Sequence, residues 1–301
     1  MKKNVIAILK LIPKSLKDLK DKNPLQLASS TAFFSLFAIP PILVILINTL
    51  GLFIKPEFLN DEIFSQISNI LGNSGTEEIK QIFKNFQELP DDLLTSVLVF
   101  LFLLFIGTNL FFLVQLNINQ VWDVPSKSNQ KFTSHLRGRL TAIALVSIGG
   151  VIILVAIVSD LALAFIGDQI NQILPNIKSY LIRFVSLAFS LLTFSAWFTL
   201  LFKILPNAKL PWKPAIVGGV ISSVLFKIGQ IVIEQILVNS NIKGIFGASS
   251  SIVLVMLFIF YVSFIFYFVA MFIKNYADLI GQPITTIKNK KNSSNQKSEL
   301  F

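Results

Sequence analysis

Apolar residues in this chain gather into long runs separated by shorter polar segments. Six runs, at 28–54, 93–116, 140–165, 183–205, 215–238 and 248–273, reach the ~20 residues that cross roughly 30 Å of hydrocarbon as a helix. Each is predicted to be an α-helix, because a segment isolated in lipid must satisfy its own backbone polar groups. Between the runs the pattern becomes amphipathic. In residues 3–20, Val5, Ile8, Leu9, Ile12, Leu16 and Leu19 recur at helical spacing, with Lys3, Lys10, Lys14 and Lys17 mostly off that stripe. This predicts a basic helix lying in the membrane interface and gripping anionic lipid, kinked at Pro13, or else docking a cytoplasmic partner. In the polar segment 55–92, Ile63, Phe64, Ile67, Ile70 and Leu71 form one apolar face, and Ile79, Ile82, Phe83, Phe86 and Leu89 form another. Ser74 and Glu77 have capping-box spacing before the second face, and Pro90 would end it. Two short helices across the mouth of a bundle follow, either as a lid or as interfacial packing.

The predicted class is therefore an all-α polytopic membrane protein with six transmembrane helices and short amphipathic helices at the N-terminus and in the first outer loop. Residues 1–24 form the basic interfacial helix, 25–278 the membrane domain and 279–301 a disordered polar tail. Composition agrees. Hydrophobic residues make up 53% of the chain and charged ones 14%, against roughly 25% charged in a soluble domain. The basic start runs into an apolar stretch too long for a signal-peptide core, so no cleaved leader is expected.

Charge sets the threading. Lys and Arg crowd into the N-terminal segment (Lys2 to Lys22), 117–139 (Lys127, Lys131, Arg137, Arg139), 203–214 (Lys203, Lys209, Lys213) and the tail from Lys274. The intervening segments are acidic on balance, led by Glu57, Asp61, Glu62, Glu77, Glu78, Glu88, Asp91 and Asp92. The positive-inside rule places both termini in the cytoplasm. An even number of spans demands the same. The net charge of +10 is then a topological signal, with the lipid bilayer, anionic at the basic face, as partner. No nucleic acid is expected, since no soluble basic domain exists to hold one. Self-association into a homo-oligomer is left open.

The chemistry is sparse. The chain has no cysteine and a single histidine, His135, which removes thiolate and histidine-cluster metal sites. No cofactor is expected. Ser240 and Lys243 match Ser-x-x-Lys without companion motifs, and no phosphate loop, HExxH or GxSxG occurs; no enzymatic activity is expected. Three ionisable residues fall inside predicted spans: Asp160, Lys227 and Glu234. Such groups tend to face the protein interior or a water-filled cavity, so they are candidates to line a path for an ion or an anionic headgroup. The alternative is that both carboxylates sit near the interface and Lys227 snorkels. Pro40 and Pro41 lie within the first span, where a break would free backbone carbonyls for a substrate or a kink would merely fit the bundle. Asn117, Asn119 and Gln120 give the second span a polar end. Gly218, Gly219, Ser222 and Ser223 recur at four-residue spacing as a close-packing face. Phe260, Phe264, Phe268 and Phe272 form a stripe in the last span, lipid-facing or lining a path for an apolar chain.

Several stretches resemble the YihY/BrkB family of bacterial inner-membrane proteins. They are Ala28 to Pro41 with its small-residue, aromatic and Leu-Phe-x-x-Pro pattern, Gln115 to Trp122, Leu205-Pro-Asn207 followed by Pro211-Trp212 and Gly218, and Phe246-Gly-Ala248. The resemblance covers residues 25–278 and implies six spans with both ends inside, in the bacterial plasma membrane. It also implies suspected transport and links to envelope integrity. The family's older ribonuclease label finds no support in these residues. Val269-Ala-Met271 stands where the family has Gly-Ala-Glu, and Phe226-Lys227 where it has Trp-Glu. The leading expectation is a transporter or exporter of a small solute or an amphiphile such as a lipid. A non-transporting envelope-integrity or scaffold protein is the alternative.

Overall fold

The computed structural model describes residues 2–51, 60–65, 67–68, 76–77, 79–81, 83–84, 93–124, 140–152, 154–155, 159, 178–239 and 250–286. The helices are α1 (Lys2–Lys20), α2 (Pro24–Leu50), α3 (Leu93–Val121), α4 (Leu140–Ile152), α5 (Lys178–Ile204), α6 (Trp212–Asn239) and α7 (Ser250–Leu279). Further helical residues lie between 60 and 68 and between 76 and 84. Among the described residues four stretches are long and apolar enough to cross a membrane: Pro24–Val44, Phe184–Ile204, Trp212–Ile233 and Ile252–Leu279. Helix α3 is 29 residues long and contains no Asp, Glu, Lys or Arg. Most of the predicted third run beyond α4 lies outside the described residues.

Helix boundaries follow local chemistry. Asn23, at φ 54°, caps α2 in the left-handed conformation, and Pro24 opens the helix where its missing N–H costs nothing. The helix therefore starts before position 28. It also continues through Pro40 and Pro41 without interruption, which leaves a kink that fits the bundle as the reading of this pair. Neighbouring turns and buried packing around both prolines hold it straight enough to propagate, although the carbonyls of Leu36 and Phe37 lose their usual amide donors. Helix α3 ends in a Schellman motif. Asp123 sits at φ 56°, the Val124 N–H donates to the Asn119 carbonyl at 2.8 Å and the Asp123 N–H to Gln120 at 3.3 Å. Helix α7 ends the same way at Gly281 (φ 68°), with the Gln282 N–H donating to the Ala277 carbonyl at 2.8 Å. It thus extends past 273 to Leu279.

Helix α7 is the hub. It packs against α1, α2, α3 and α6, while α5 packs on α6 and α2 on α3. Tyr267, Val269, Ala270, Met271, Phe272 and Ile273 are all buried. Lipid tails are as apolar as leucine, so packing rather than water exclusion drives such contacts. The main cluster joins Phe198 and Phe202 of α5, Phe226 of α6 and Phe258 and Phe266 of α7. The Phe202 and Phe266 rings stack at 4.6 Å between centroids. Outward, Phe33, Phe37, Phe102, Phe184, Leu192 and Val224 are exposed and form the lipid-facing surface. At the other end of α2, Leu43, Leu46 and Ile47 pack with Ile63, Phe64, Ile79 and Phe83. The described parts of both amphipathic patterns in 55–92 thus close onto α2.

Two expectations are revised here. The start of the expected disordered tail is ordered: Thr285–Thr286 pair antiparallel with Ala208–Lys209 (Ala208 opposite Thr286, Lys209 opposite Thr285), making a two-stranded sheet beside the helices. Residues from 287 lie outside those described. And Phe272 does not face lipid; it is buried with Leu11 and Tyr276 beneath α1, because α1 packs on α7 through Leu11.

Candidate functional site

A polar strip runs along the seam between α5 and α6. Gly219, Ser223, Lys227 and Gln230 occur at three- and four-residue spacing, which places them on neighbouring positions of one helical face. Opposite them, α5 presents Thr199 and Ser195, one turn apart. Gly219 has no side chain because Thr199 occupies its space: a Cβ there would stand 2.0 Å from Thr199 Oγ1 and 2.6 Å from the Ser195 carbonyl oxygen. One turn on, the Ser195 and Ser223 hydroxyls share a hydrogen bond of 2.8 Å. Beyond it the Lys227 ammonium donates to Gln230 Oε1 at 2.9 Å. From Gly219 to Gln230 the strip covers about 17 Å of helical rise, more than half the hydrocarbon thickness. Lys227 is half-buried and Gln230 buried. A cation with carboxamide and hydroxyl neighbours, in a helix that carries no other charge between Lys213 and Glu234, can hold an anionic group by a charge-assisted hydrogen bond.

Phe226, beside Lys227, packs into the aromatic cluster, 4.5 Å from Phe194 of α5 and 5.6 Å from Phe258 of α7 between ring centroids. Gly218 faces away from the strip; a Cβ there would meet Ile273 of α7. Ser222 is fully buried and its hydroxyl has no hydrogen-bond partner. Asp160 and the Glu234 side chain lie outside the described residues. The expected convergence of Lys227 with the two carboxylates therefore reduces, among described groups, to Lys227 with Gln230.

Asn117, Asn119 and Gln120 do not form one site. Asn117 is buried between α2, α3 and α7, where its Nδ2 donates to Tyr267 Oη at 2.9 Å and Thr31 Oγ1 at 3.2 Å. The Thr31 and Tyr267 hydroxyls are themselves 2.5 Å apart. Asn119 instead accepts from the Asn207 backbone N–H at 3.0 Å, fixing the Leu-Pro-Asn link. Gln120 is exposed. Successive residues on a helix are 100° apart, so three adjacent polar positions meet three different surroundings. The participation of Tyr267 was legible only as an aromatic in an aromatic run; nothing in its spacing pointed to Thr31.

The basic segments meet at one end of the bundle. Trp122 Nε1 donates to the Ala270 carbonyl at 2.8 Å and Gln115 Nε2 to the Leu205 carbonyl. Lys203 donates to the Leu210 carbonyl and stands 4.9 Å from the Trp212 ring centroid. Asp123 accepts from Lys22 and, at 2.6 Å, from Lys274. These hydrogen bonds hold its carboxyl below the usual carboxylate range. A carboxylate pKa depressed by folding contributes stability that is full above its unfolded value near 4 and lost as pH falls through the folded value. The clasp is solvent-exposed, so the global effect is small. Hydrogen exchange of residues 19–24, corrected for intrinsic rate, should nonetheless accelerate between pH 5 and pH 3. Asp123→Asn should be fast at both; an unchanged pH response in that variant would refute the clasp.

A family model described as Virulence factor BrkB matches residues 15–281. A relative from Saccharophagus degradans, described as a UPF0761 membrane protein, is 26% identical over 270 residues, covering 85% of this chain and 57% of its own length. A second of the same description, from Teredinibacter turnerae, is 24% identical over 237 residues, covering 77% and 52%. The chain thus spans about half the length of the curated relatives it matches. No solved structure matches it.

Proposed function

The chain belongs to the family described as virulence factor BrkB and is a multi-pass protein of the bacterial inner membrane; from that premise we propose that it is a six-span transporter, not an enzyme, moving a small solute or an amphiphile along the α5–α6 seam. In this reading α3 and the helix that begins with α4 supply the two further spans. Both termini lie in the cytoplasm, on the side where Lys22, Asp123 and Lys274 meet. The observation that carries the reading is the half-buried Lys227 one turn beyond the shared Ser195–Ser223 hydroxyls. A cation in the apolar part of a span is costly, and a bundle that only had to pack would fill the position with an apolar residue.

Transport of fluorescent anionic solutes, and scrambling of labelled phospholipid, measured in proteoliposomes, test this. Lys227→Ala should reduce the rate at least about tenfold, equivalent to losing roughly 1.4 kcal/mol of stabilisation of the passing anion. Lys227→Arg should retain most of it. Equal rates for wild type and Lys227→Ala would remove Lys227 from the path. The tied basic end favours a second reading, a rigid non-transporting envelope or scaffold protein. Absence of flux for every solute and lipid, with the protein folded, would support it.

A further inference from the structure

Helix α1 lies crosswise on α7. Leu11 clusters with Phe272 and Tyr276. Asn275 Nδ2 donates to Ser15 Oγ at 3.1 Å and Asp18 Oδ2 at 3.0 Å. Lys22 reaches Lys274 through Asp123. From Leu11 to Asp18 α1 advances by about 10 Å, yet its partners on α7 stay within the single turn Phe272–Tyr276, about 6 Å. Two helices running side by side would keep step; these cross steeply. With α7 spanning the bilayer, α1 must run close to the membrane plane at the basic end.

That crossing divides α1 into three faces. Leu11, Ser15 and Leu19, four residues apart, are buried against the bundle. Ile12 and Leu16, about 100° further round, are exposed at 43% and 47%. Lys10, Lys14, Lys17 and Lys20 are exposed on the remaining surface. A second feature marks the headgroup level at the same end. Trp212 is 58% exposed and flanked by exposed Lys209 and Lys213, the amphipathic anchor that interfaces favour.

We propose that α1 is a crossbar mounted in the cytoplasmic leaflet, with Ile12 and Leu16 in the acyl layer and Lys10, Lys14, Lys17 and Lys20 binding the phosphates of anionic phospholipid headgroups. The bundle fixes the helix's rotation. The exposed apolar pair therefore faces lipid without α1 having to fold upon binding, and the lysine row follows at headgroup depth. The proposal is independent of the transport reading.

The chain has no cysteine, so single labels are clean. Bimane at Leu16→Cys and at Lys14→Cys is read in full-length protein reconstituted in vesicles. Brominated acyl chains should quench the first strongly; aqueous iodide should reach only the second. Brominated phosphatidylglycerol at low mole fraction should quench Leu16→Cys several-fold more than brominated phosphatidylcholine. The preference should weaken with salt, by roughly fivefold in partitioning for each lysine lost. Changing Lys10, Lys14, Lys17 and Lys20 together to Gln should abolish it, and changing them to Arg should keep it. The proposal is overturned by equal quenching with both lipids in wild type, or by a preference that survives the Gln variant. It is overturned equally by a Leu16 label shielded from both acyl chains and iodide, which would mean that protein covers this face.

Discussion

Gly219→Leu should prevent α5 from seating on α6 and leave little folded protein, while Gly218→Ala at the adjacent position should be tolerated. The two glycines look equivalent in the sequence, and their surroundings are not. At Gly219 an added Cβ collides with Thr199 Oγ1 at 2.0 Å and with the Ser195 carbonyl oxygen at 2.6 Å. The hydroxyl can rotate away, but the carbonyl belongs to the backbone of α5 and cannot. At Gly218 the added Cβ meets Ile273 Cδ1 at 2.2 Å and Cγ1 at 2.5 Å, atoms of a buried side chain that can change rotamer where a backbone carbonyl cannot. Overpacking of this kind costs about 1 to 3 kcal/mol and more for a full side chain. Alanine recovers up to about 1 kcal/mol of that through helix propensity. Gly219→Ala should therefore lower the melting temperature in detergent and Gly218→Ala should lower it distinctly less. Equal melting temperatures for the two alanine variants would refute the close approach of α5 and α6.

Trp122→Ala should destabilise the protein by about 3 to 5 kcal/mol, and Trp212→Ala by no more than about 1 kcal/mol. Trp122 is buried at the end of α3, its indole N–H committed to the Ala270 carbonyl. Removing it leaves a large void against α7 and a carbonyl without its added donor. Trp212 stands mostly in the open, with the Lys203 ammonium 4.9 Å from its ring centroid. Denaturant titration followed by circular dichroism separates the two. Comparable losses would mean that the joint between α3 and α7 is not built as described.

The long helices were legible because lipid leaves the backbone one solution: a run of apolar residues of the right length must be a helix. Their ends were less so. The caps at Asn23, Asp123 and Gly281 depend on single left-handed residues that hydropathy does not register, so α2 and α7 start or stop several residues away from the apolar boundary. At Pro40 and Pro41 the sequence left a break and a kink open, and α2 carries both prolines inside one helix, since buried packing outweighs the two lost hydrogen bonds. The candidate site was half legible. Lys227 announces itself as a charge in an apolar helix. Ser195 and Thr199 on α5 do not, because a hydroxyl in a membrane helix commonly satisfies itself on its own backbone, and only the facing helix shows which one is shared.

The sequence by itself determined the membrane setting, the helical class and the segregation of basic segments, because each follows from local composition and periodicity, and its motifs carried the resemblance to the family. Tertiary structure alone decided which face of each helix meets which neighbour. It set α1 across α7, sent Asn117 and Asn119 to different partners, separated Gly218 from Gly219 and paired Thr285 with Lys209. Those outcomes depend on side chains far apart in sequence, as with Thr31 and Tyr267, whose contact no local pattern encodes.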